Sequence, residues 1–365
     1  MNISNSIIQR ARESGNPVIE GNQAILIWEG KHTPYLISDL NEWDEKATPF
    51  KRLSSGRRPA SAEPIWYYSV TLPRDAYIEY AVYIPKTKTR LLDPLNRRTV
   101  SNGFGARNNY FYMPESVPSP FVVRRADVPA GTVKRHRVDT SWMQEDSKRE
   151  VYLYKPPVKR AVPLLVVYDG YDYLYRTRLA TMVDNMIAEK RIRPIAMAFL
   201  QNGKSRRNVE YFCSDATITW LDREVLLLAE KHLNLLNIKK YPGAYGVLGA
   251  SAGGLMSMYT GLRMPEIFGK VLCQSGVFGL DGRDFAVVDL IRHRHAQNIK
   301  IWMDVGKFEW LLGDNRRMQP ILKENGYQFI YREYSGSHNY TSWRDDLWRG
   351  LEAMFPLKSD SHLER

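Results

Sequence analysis

The sequence predicts an all-β sandwich followed by a doubly wound, mostly parallel α/β sheet. Three observations carry this. Residues 20 to about 115 alternate short apolar runs with turn-rich stretches. Beyond the prolines at 114, 118, 120 and 129, near-continuous apolar runs alternate with helix-period stretches. The chain's 365 residues suit two domains of ordinary size. The expected division is 1–120 for the sandwich and 121–365 for the α/β domain.

In the first half, AILIWEG, PYLIS, IWYYSVTL and YIEYAVYI read as strands. Between them lie turn signals such as KRLSSGRRPASAEP and the Asp93-Pro94-Leu95-Asn96 corner. Trp43 and Trp66 read as core or domain-interface aromatics in preference to a sugar-binding platform. The proline-bearing stretch 114–129 reads as a linker. In the second half, HRVDTSW and EVYLYKPP form a hairpin. LLVVYDG, PIAMAFLQNG, YGVLGAS, KVLCQSG and IKIWMDVG are buried strands ending in Gly or polar turns. Helices are expected over LATMVDNMIAEK, LDREVLLLAEKHL, AGGLMSMYTGLR and the region 314–325.

Charge narrows the function classes. The chain carries 52 Lys+Arg against 40 Asp+Glu, a net +12. The excess is spread over both halves, in scattered pairs such as Arg57-Arg58, Arg97-Arg98 and Arg206-Arg207. With no basic block, an anionic small molecule or a merely basic surface is a better expectation than a nucleic-acid partner. Two cysteines, Cys213 and Cys273, cannot make a disulfide framework or a four-ligand zinc site. The first residues lack the apolar core of a signal peptide, and no apolar run is long enough to span a bilayer. A cytoplasmic protein without membrane, metal or cofactor is the expectation, its oligomeric state open.

The sharpest motif is Gly249-Ala250-Ser251-Ala252-Gly253-Gly254, after a strand and opening a helix. Gly-x-Ser-x-Gly in that setting is a nucleophile elbow: the serine takes a strained backbone angle, so its flanks must be small. The Ala252 N–H, at the helix start, can donate to an oxyanion. In this architecture the order is Ser, acid, His. His32 and His136 precede the site or lie in the hairpin, His232 is helical, His293 and His295 fall in RHRHAQN, and His362 is in the tail. His338, in a turn after FIYREY, remains as the base. The acid should follow IKIWMDVG, and Glu309, Asp314 and Asp304 are the candidates. Glu309 is at the loop apex, Asp314 also reads as an N-cap, and Asp304 sits inside the strand. The second oxyanion donor is expected after LLVVYDG, where Gly170 would let the chain turn and bring the Tyr171 N–H inward. Asp169 reads as a turn-stabilising carboxylate.

These segments resemble the enterochelin (ferric enterobactin) esterases, a branch of the α/β-hydrolases. The resemblance rests on GASAGGLMSMYTGLRMPEIFGKVLCQSG for the elbow, PLLVVYDGYDYL for the oxyanion loop, RRNVEYFC for an Arg-x-x-Glu loop, GSHNYTSWRDDLWRGL for the His loop and VGKFEW for the acid. SDLNEWDEKATPF is similar to the Gly-x-Phe-Asn-x-Trp corner of early-set, glycogen-binding-type sandwiches, with Ser38 and Leu40 replacing Gly and Phe. The resemblance implies an α/β-hydrolase with an early-set sandwich ahead of it. It implies Ser251 as nucleophile, His338 as base, Glu309 as acid, and Tyr171 and Ala252 as oxyanion donors. Where the family carries an aromatic pair, this chain has Val277-Phe278-Gly279-Leu280, leaving Phe278 alone to stack on a substrate. Arg206, Arg207 and Arg344 are expected to line a cleft for an anionic ester, the alternative for each being a structural guanidinium; Arg207 and Glu210 would then pair. The expectation is serine esterase chemistry on a small ester of the enterochelin type. Hydrolysis of feruloyl or acetyl sugars, acyl transfer to a sugar, and a non-catalytic glycan-binding protein are the alternatives.

Overall fold

The computed structural model describes residues 4–45, 48–53, 63–143 and 148–357; the Arg57-Arg58 pair and His362 lie outside them. The chain divides into two compact units. One holds Met1–Val117 with Gly306–Trp310 and Tyr334–Asn339; the other holds Pro118–Val305, Leu311–Glu333 and Tyr340–Arg365.

The first unit is built on two antiparallel sheets. Val18–Glu20, Gln23–Glu29, Ile65–Thr71 and Lys51–Arg52 form one in that spatial order. Tyr35–Ser38, Tyr77–Ile84, Arg107–Tyr112 and Thr99–Ser101 form the other, with Thr89–Leu91 added beside Tyr77–Ile84. Leu26, Trp28 and Trp66 of the first sheet meet Leu36, Tyr80, Val82 and Phe111 of the second in one buried cluster. Alternation along each strand puts these side chains on the inner faces. Trp66 is therefore core, and its indole N–H donates to the Gly30 carbonyl at 2.8 Å. Trp43 is half-buried, with the Arg90 guanidinium 5.7 Å from its ring centroid. A helix absent from the sequence-based expectation, Asn5–Ser14, lays Ile7, Ile8 and Ala11 over Ile25, Ile27 and Ile65 on the outer face of the first sheet.

Asp93 and Asp39 are among the carboxylates buried in this unit. Asp93 accepts from the Asn16 amide and the Tyr80 hydroxyl, both at 2.8 Å. Asp39 lies in the one-turn helix Asp39–Asn41, where Ser38 and Asn41 cap each other's backbone. Burial, followed by repulsion from Glu79, holds the Asp39 carboxyl well above its ordinary value. The folded chain thus binds this proton more tightly than the unfolded chain. The stabilisation is complete below the ordinary carboxyl range and is lost as pH rises through the elevated folded value. Asp39 should contribute a gain in stability on acidification through that window, of at most about 1.4 kcal/mol per pH unit. Asp39→Asn should flatten that part of the slope; parallel slopes of Tm against pH would refute the assignment.

The second unit is organised by an eight-stranded sheet, its strands numbered along the chain: β1 Thr132–Asp139, β2 Lys148–Lys155, β3 Leu164–Val167, β4 Ala196–Leu200, β5 Tyr245–Ala250, β6 Phe268–Gln274, β7 Lys300–Gly306 and β8 Gln328–Tyr334. The spatial order is β1-β2-β4-β3-β5-β6-β7-β8. The β1–β2 hairpin and the β2–β4 contact are antiparallel. The pairs β3–β4, β3–β5, β5–β6 and β6–β7 are parallel. Every residue of β3, β4 and β5 is buried, as expected of strands covered on both faces. The helices used below are α1 Gly170–Tyr175, α2 Leu179–Ala188, α3 Arg207–Tyr211, α4 Ala252–Arg263, α5 Ala286–His293, α6 Leu312–Glu324 and α7 Tyr340–Met354.

Two expectations are corrected, and one helix is added. Residues 118–129 are a packed strap: Phe121 and Val128 are buried, and Asn185 of α2 donates to the Phe121 and Val123 carbonyls. Prolines rigidify this strap because two apolar anchors and polar partners on α2 fix it. Part of the stretch leading into RHRHAQN is helical, forming α5 around buried Val287, Val288 and Ile291. Asp314 is not an N-cap; α6 begins one turn earlier, capped by Leu311, and Asp314 pairs with Arg317 at 3.5 Å.

Candidate active site

Strand β5 ends at Ala250 and α4 begins at Ala252, so Ser251 alone makes the turn. Its backbone has φ 59° and ψ −124°, a conformation costing roughly 1–3 kcal/mol for a residue with a Cβ. The surroundings over-determine it. The Ser251 N–H donates to the Gln274 carbonyl of β6 at 2.9 Å, and its carbonyl accepts from Leu255 at 3.0 Å. Gly249 is required by close approach: a Cβ there would overlap the Gly253 carbonyl of α4. Ala252 is the first residue of α4, where a backbone N–H has no carbonyl one turn back to bond.

The neighbouring turn follows β3. Asp169 takes the left-handed conformation, φ 51°, and Tyr171 is the second residue of α1, again among the N–H groups without a helical partner. The residue that turns the chain is thus Asp169, not Gly170. Gly170 is needed for a different reason, since a Cβ would strike the Phe199–Leu200 backbone of β4. The Tyr171 ring is half-exposed.

One guanidinium ties both turns together. Arg207 donates from Nε and Nη2 to the two oxygens of Asp169, at 2.7 and 2.6 Å, and from Nη2 to the Ala250 carbonyl at 3.3 Å. Asn202 adds a bond to the same carboxylate at 2.5 Å. Burial pulls the Arg207 pKa down, but the Asp169 carboxylate outweighs it and leaves it above its ordinary value. The expected Arg207–Glu210 pair does not form, because Glu210 bonds Arg149 at 2.6 Å in a buried ion pair. Arg207 is therefore a fixed strut between the Ser251 turn and the Asp169 turn. Removing it strands Asp169, whose side chain is 1% exposed. Arg207→Met should cost about 3–5 kcal/mol, the usual penalty for an uncompensated buried charge. Chemical unfolding would measure it, and a loss below about 1 kcal/mol would assign the pair a surface-like role.

Glu309 and His338, candidate acid and base, lie in the first unit. The loop after β7 presents Glu309, whose Oε1 accepts from the Gly306 N–H at 2.7 Å. Its Oε2 lies 2.6 Å from Nδ1 of His338, on the loop after β8. The Glu309 side chain is fully buried and the His338 ring is 15% exposed. A carboxylate on Nδ1 fixes the imidazole tautomer and leaves Nε2 as the proton acceptor. Trp310, which sequence reasoning passed over although it adjoins Glu309, stacks on this imidazole with ring centroids 4.5 Å apart and is itself exposed.

The other two acid candidates have different partners. Asp304, buried in β7, accepts from Gln274 Nε2 and from the Trp302 indole at 2.8 Å. Asp314 is engaged with Arg317. Phe278 is fully buried in the core of the second unit, so it offers no stacking surface to a substrate. It is packed inward because the hairpin Gly279–Leu280 with Arg283–Asp284 folds directly beyond it and Phe285 bonds back to its carbonyl. Arg344 pairs with Asp345 at 2.8 Å and is mostly covered, whereas Arg206 is exposed. Among the described residues no group of His, Cys, Asp or Glu side chains is arranged to hold a metal ion, and no helix is long and apolar enough to cross a membrane.

The chain is similar to known esterases. The chain is 28% identical over 286 residues to an iron(III) enterobactin esterase of Dickeya dadantii, covering 72% of this chain and 64% of that protein. It is 22% identical over 275 residues to the corresponding Escherichia coli K12 protein, covering 72% and 66%. The chain thus spans just under two thirds of the length of these two relatives. Among solved structures, the enterobactin esterase of Shigella flexneri, determined in the presence of enterobactin, superposes with a TM-score of 0.77 at 17% identity over 96% of this chain and 98% of that one. A ferulic acid esterase of Anaeromyces mucronatus matches 66% of this chain with a TM-score of 0.55. The fold is that of an α/β-hydrolase with a sandwich ahead of it. The family model described as "Putative esterase" matches residues 141–354, more than half of the sequence, and the chain belongs to that family.

Proposed function

We propose that this protein is a serine esterase in which Ser251 attacks an ester carbonyl, His338 serves as general base and then general acid, and Glu309 fixes the His338 tautomer. The observation that carries the reading is the strained backbone of Ser251 at a strand-to-helix turn, a conformation with no structural purpose that a glycine would not serve better. The Glu309–His338 hydrogen bond, on the loops after β7 and β8 of the same sheet, supports the assignment of base and acid. The Tyr171 and Ala252 N–H groups form the oxyanion hole, each donor contributing about 3–4 kcal/mol to the transition state. Attack gives an acyl-enzyme and a free alcohol; water, activated by the same imidazole, returns the acid and the serine.

The substrate is an anionic ester of the iron(III) enterobactin type, following the relatives named above. Arg206, exposed just ahead of α3, is the arginine we assign to its charge. With Phe278 buried, the exposed indole of Trp310 is the aromatic surface next to the base. A reducing cytoplasm suits the two free thiols, Cys213 and Cys273. The likeness to a ferulic acid esterase keeps feruloyl esters as the second reading. The test is product analysis on ferric enterobactin, a feruloyl sugar, an acetyl sugar and an aryl acetate, each with wild type and Ser251→Ala. Ser251-dependent release of dihydroxybenzoyl-serine fragments supports the first reading. Preferential feruloyl release selects the second, and hydrolysis that persists in Ser251→Ala removes both.

A further inference from the structure

From the contacts inside the first unit, we infer that the N-terminal sandwich is a positioning device for the Glu309–His338 pair, acting through Asp39 and Asn339; this rests on the serine-esterase reading above. The loops that bear the acid and the base belong to the same compact unit as the sandwich, although about two hundred residues of chain separate them. Three contacts join them. Phe308, next to Glu309, packs against the core cluster between the two sandwich sheets. The Tyr77 N–H, at the start of its sandwich strand, donates to the Ser335 carbonyl at 2.9 Å. Asn339, next to His338, donates from Nδ2 to Asp39 Oδ2 at 3.2 Å, and the same oxygen accepts from the Glu79 N–H at 2.7 Å.

The two loops are also laced to each other. Phe308 N–H donates to the Gly336 carbonyl at 3.1 Å, and the Ser337 hydroxyl donates to the Phe308 carbonyl at 3.1 Å. Phe308, beside Glu309, and Asn339, beside His338, are anchored in the sandwich. A carboxylate buried like Asp39 is costly unless it is bonded. Its bonds go to the Glu79 N–H and Trp43 within the sandwich and to the residue beside the base, so this buried carboxyl ties the two together. The early-set domain thus acts as a clamp on the imidazole, without touching substrate.

The test is kinetic. Asn339→Ala should lower kcat about 10- to 100-fold on an aryl ester, as expected for a base displaced by a fraction of an ångström, with KM unchanged and the rate of fluorophosphonate labelling of Ser251 reduced in parallel. Asp39→Ala should match it. Asp39→Asn, which keeps an oxygen for both the Glu79 and Asn339 donors, should retain wild-type kcat, a rescue that generic destabilisation would not produce. If Asp39→Ala fails to fold, Asn339→Ala on the rim with its Tm measured decides the matter alone. Wild-type kcat in a folded Asn339→Ala, with Ser251→Ala inactive, overturns the clamp and leaves the esterase reading intact. Activity surviving in Ser251→Ala overturns both.

Discussion

Ser251→Ala is expected to lower kcat/KM for any ester the enzyme accepts by about 10⁴- to 10⁶-fold, leaving only what the oxyanion hole and binding provide. Stability should hardly change. Alanine keeps the Cβ, so the strain at φ 59° remains as it is in wild type, and both backbone bonds of residue 251 are retained. Only a hydroxyl is lost, from a position that stays partly solvent-accessible. Tm should therefore remain within about 2 °C, the shift expected for a few tenths of a kcal/mol in a protein of this size. A burst-phase assay adds a second readout, because wild type should accumulate an acyl-enzyme on an activated ester and the variant should not. A variant retaining more than about one per cent of activity would place the nucleophile elsewhere.

The elements that could be read from the sequence are those whose patterning and tertiary environment agree. Strands β3, β4 and β5 are uniformly apolar because both faces are covered, and α4 spans the residues its glycine start and proline stop delimit. Elements were missed where tertiary partners decide. Asn5–Ser14 is mostly polar and exists as a helix because Ile7, Ile8 and Ala11 find a hydrophobic sheet face. The strap 118–129 looked like a linker because prolines dominate its composition, while its anchors Phe121 and Val128 are few.

The site divides in the same way. Ser251 is legible because an elbow is a local backbone requirement written in consecutive small residues. Arg207 is not: as an arginine on a polar loop it is as consistent with an anion site as with an ion pair, and only the fold brings Asp169 to it. Phe278 is ambiguous for the reverse reason, since nothing local says whether an aromatic after a turn points into a cleft or into the core, where the fold buries it. Asp39 and Asn339 lie 300 residues apart and belong to no motif.

The second large effect concerns Glu309. Glu309→Gln is nearly isosteric, so packing is preserved, but the two oxygens of the carboxylate have separate duties. One accepts from Gly306 N–H and the other faces His338 Nδ1. An amide has one acceptor. If its oxygen stays on the buried Gly306 N–H, its NH₂ donates to Nδ1, which must then be unprotonated. The proton moves to Nε2, and the imidazole can no longer accept from Ser251. If the oxygen turns to Nδ1 instead, the amide NH₂ confronts the Gly306 N–H, and two donors meet in a buried site. Either way the productive tautomer is disfavoured. We expect kcat to fall about 10²- to 10⁴-fold with KM little changed, the pattern of a lost transition-state interaction. Asp314→Asn is the control: its partner Arg317 is on the surface of α6, and kcat should stay within about threefold of wild type, in line with the small worth of exposed ion pairs. If Asp314→Asn disables the enzyme and Glu309→Gln does not, the roles assigned to these two acids must be exchanged, and the short contact between Glu309 and His338 would then be a feature of folding alone.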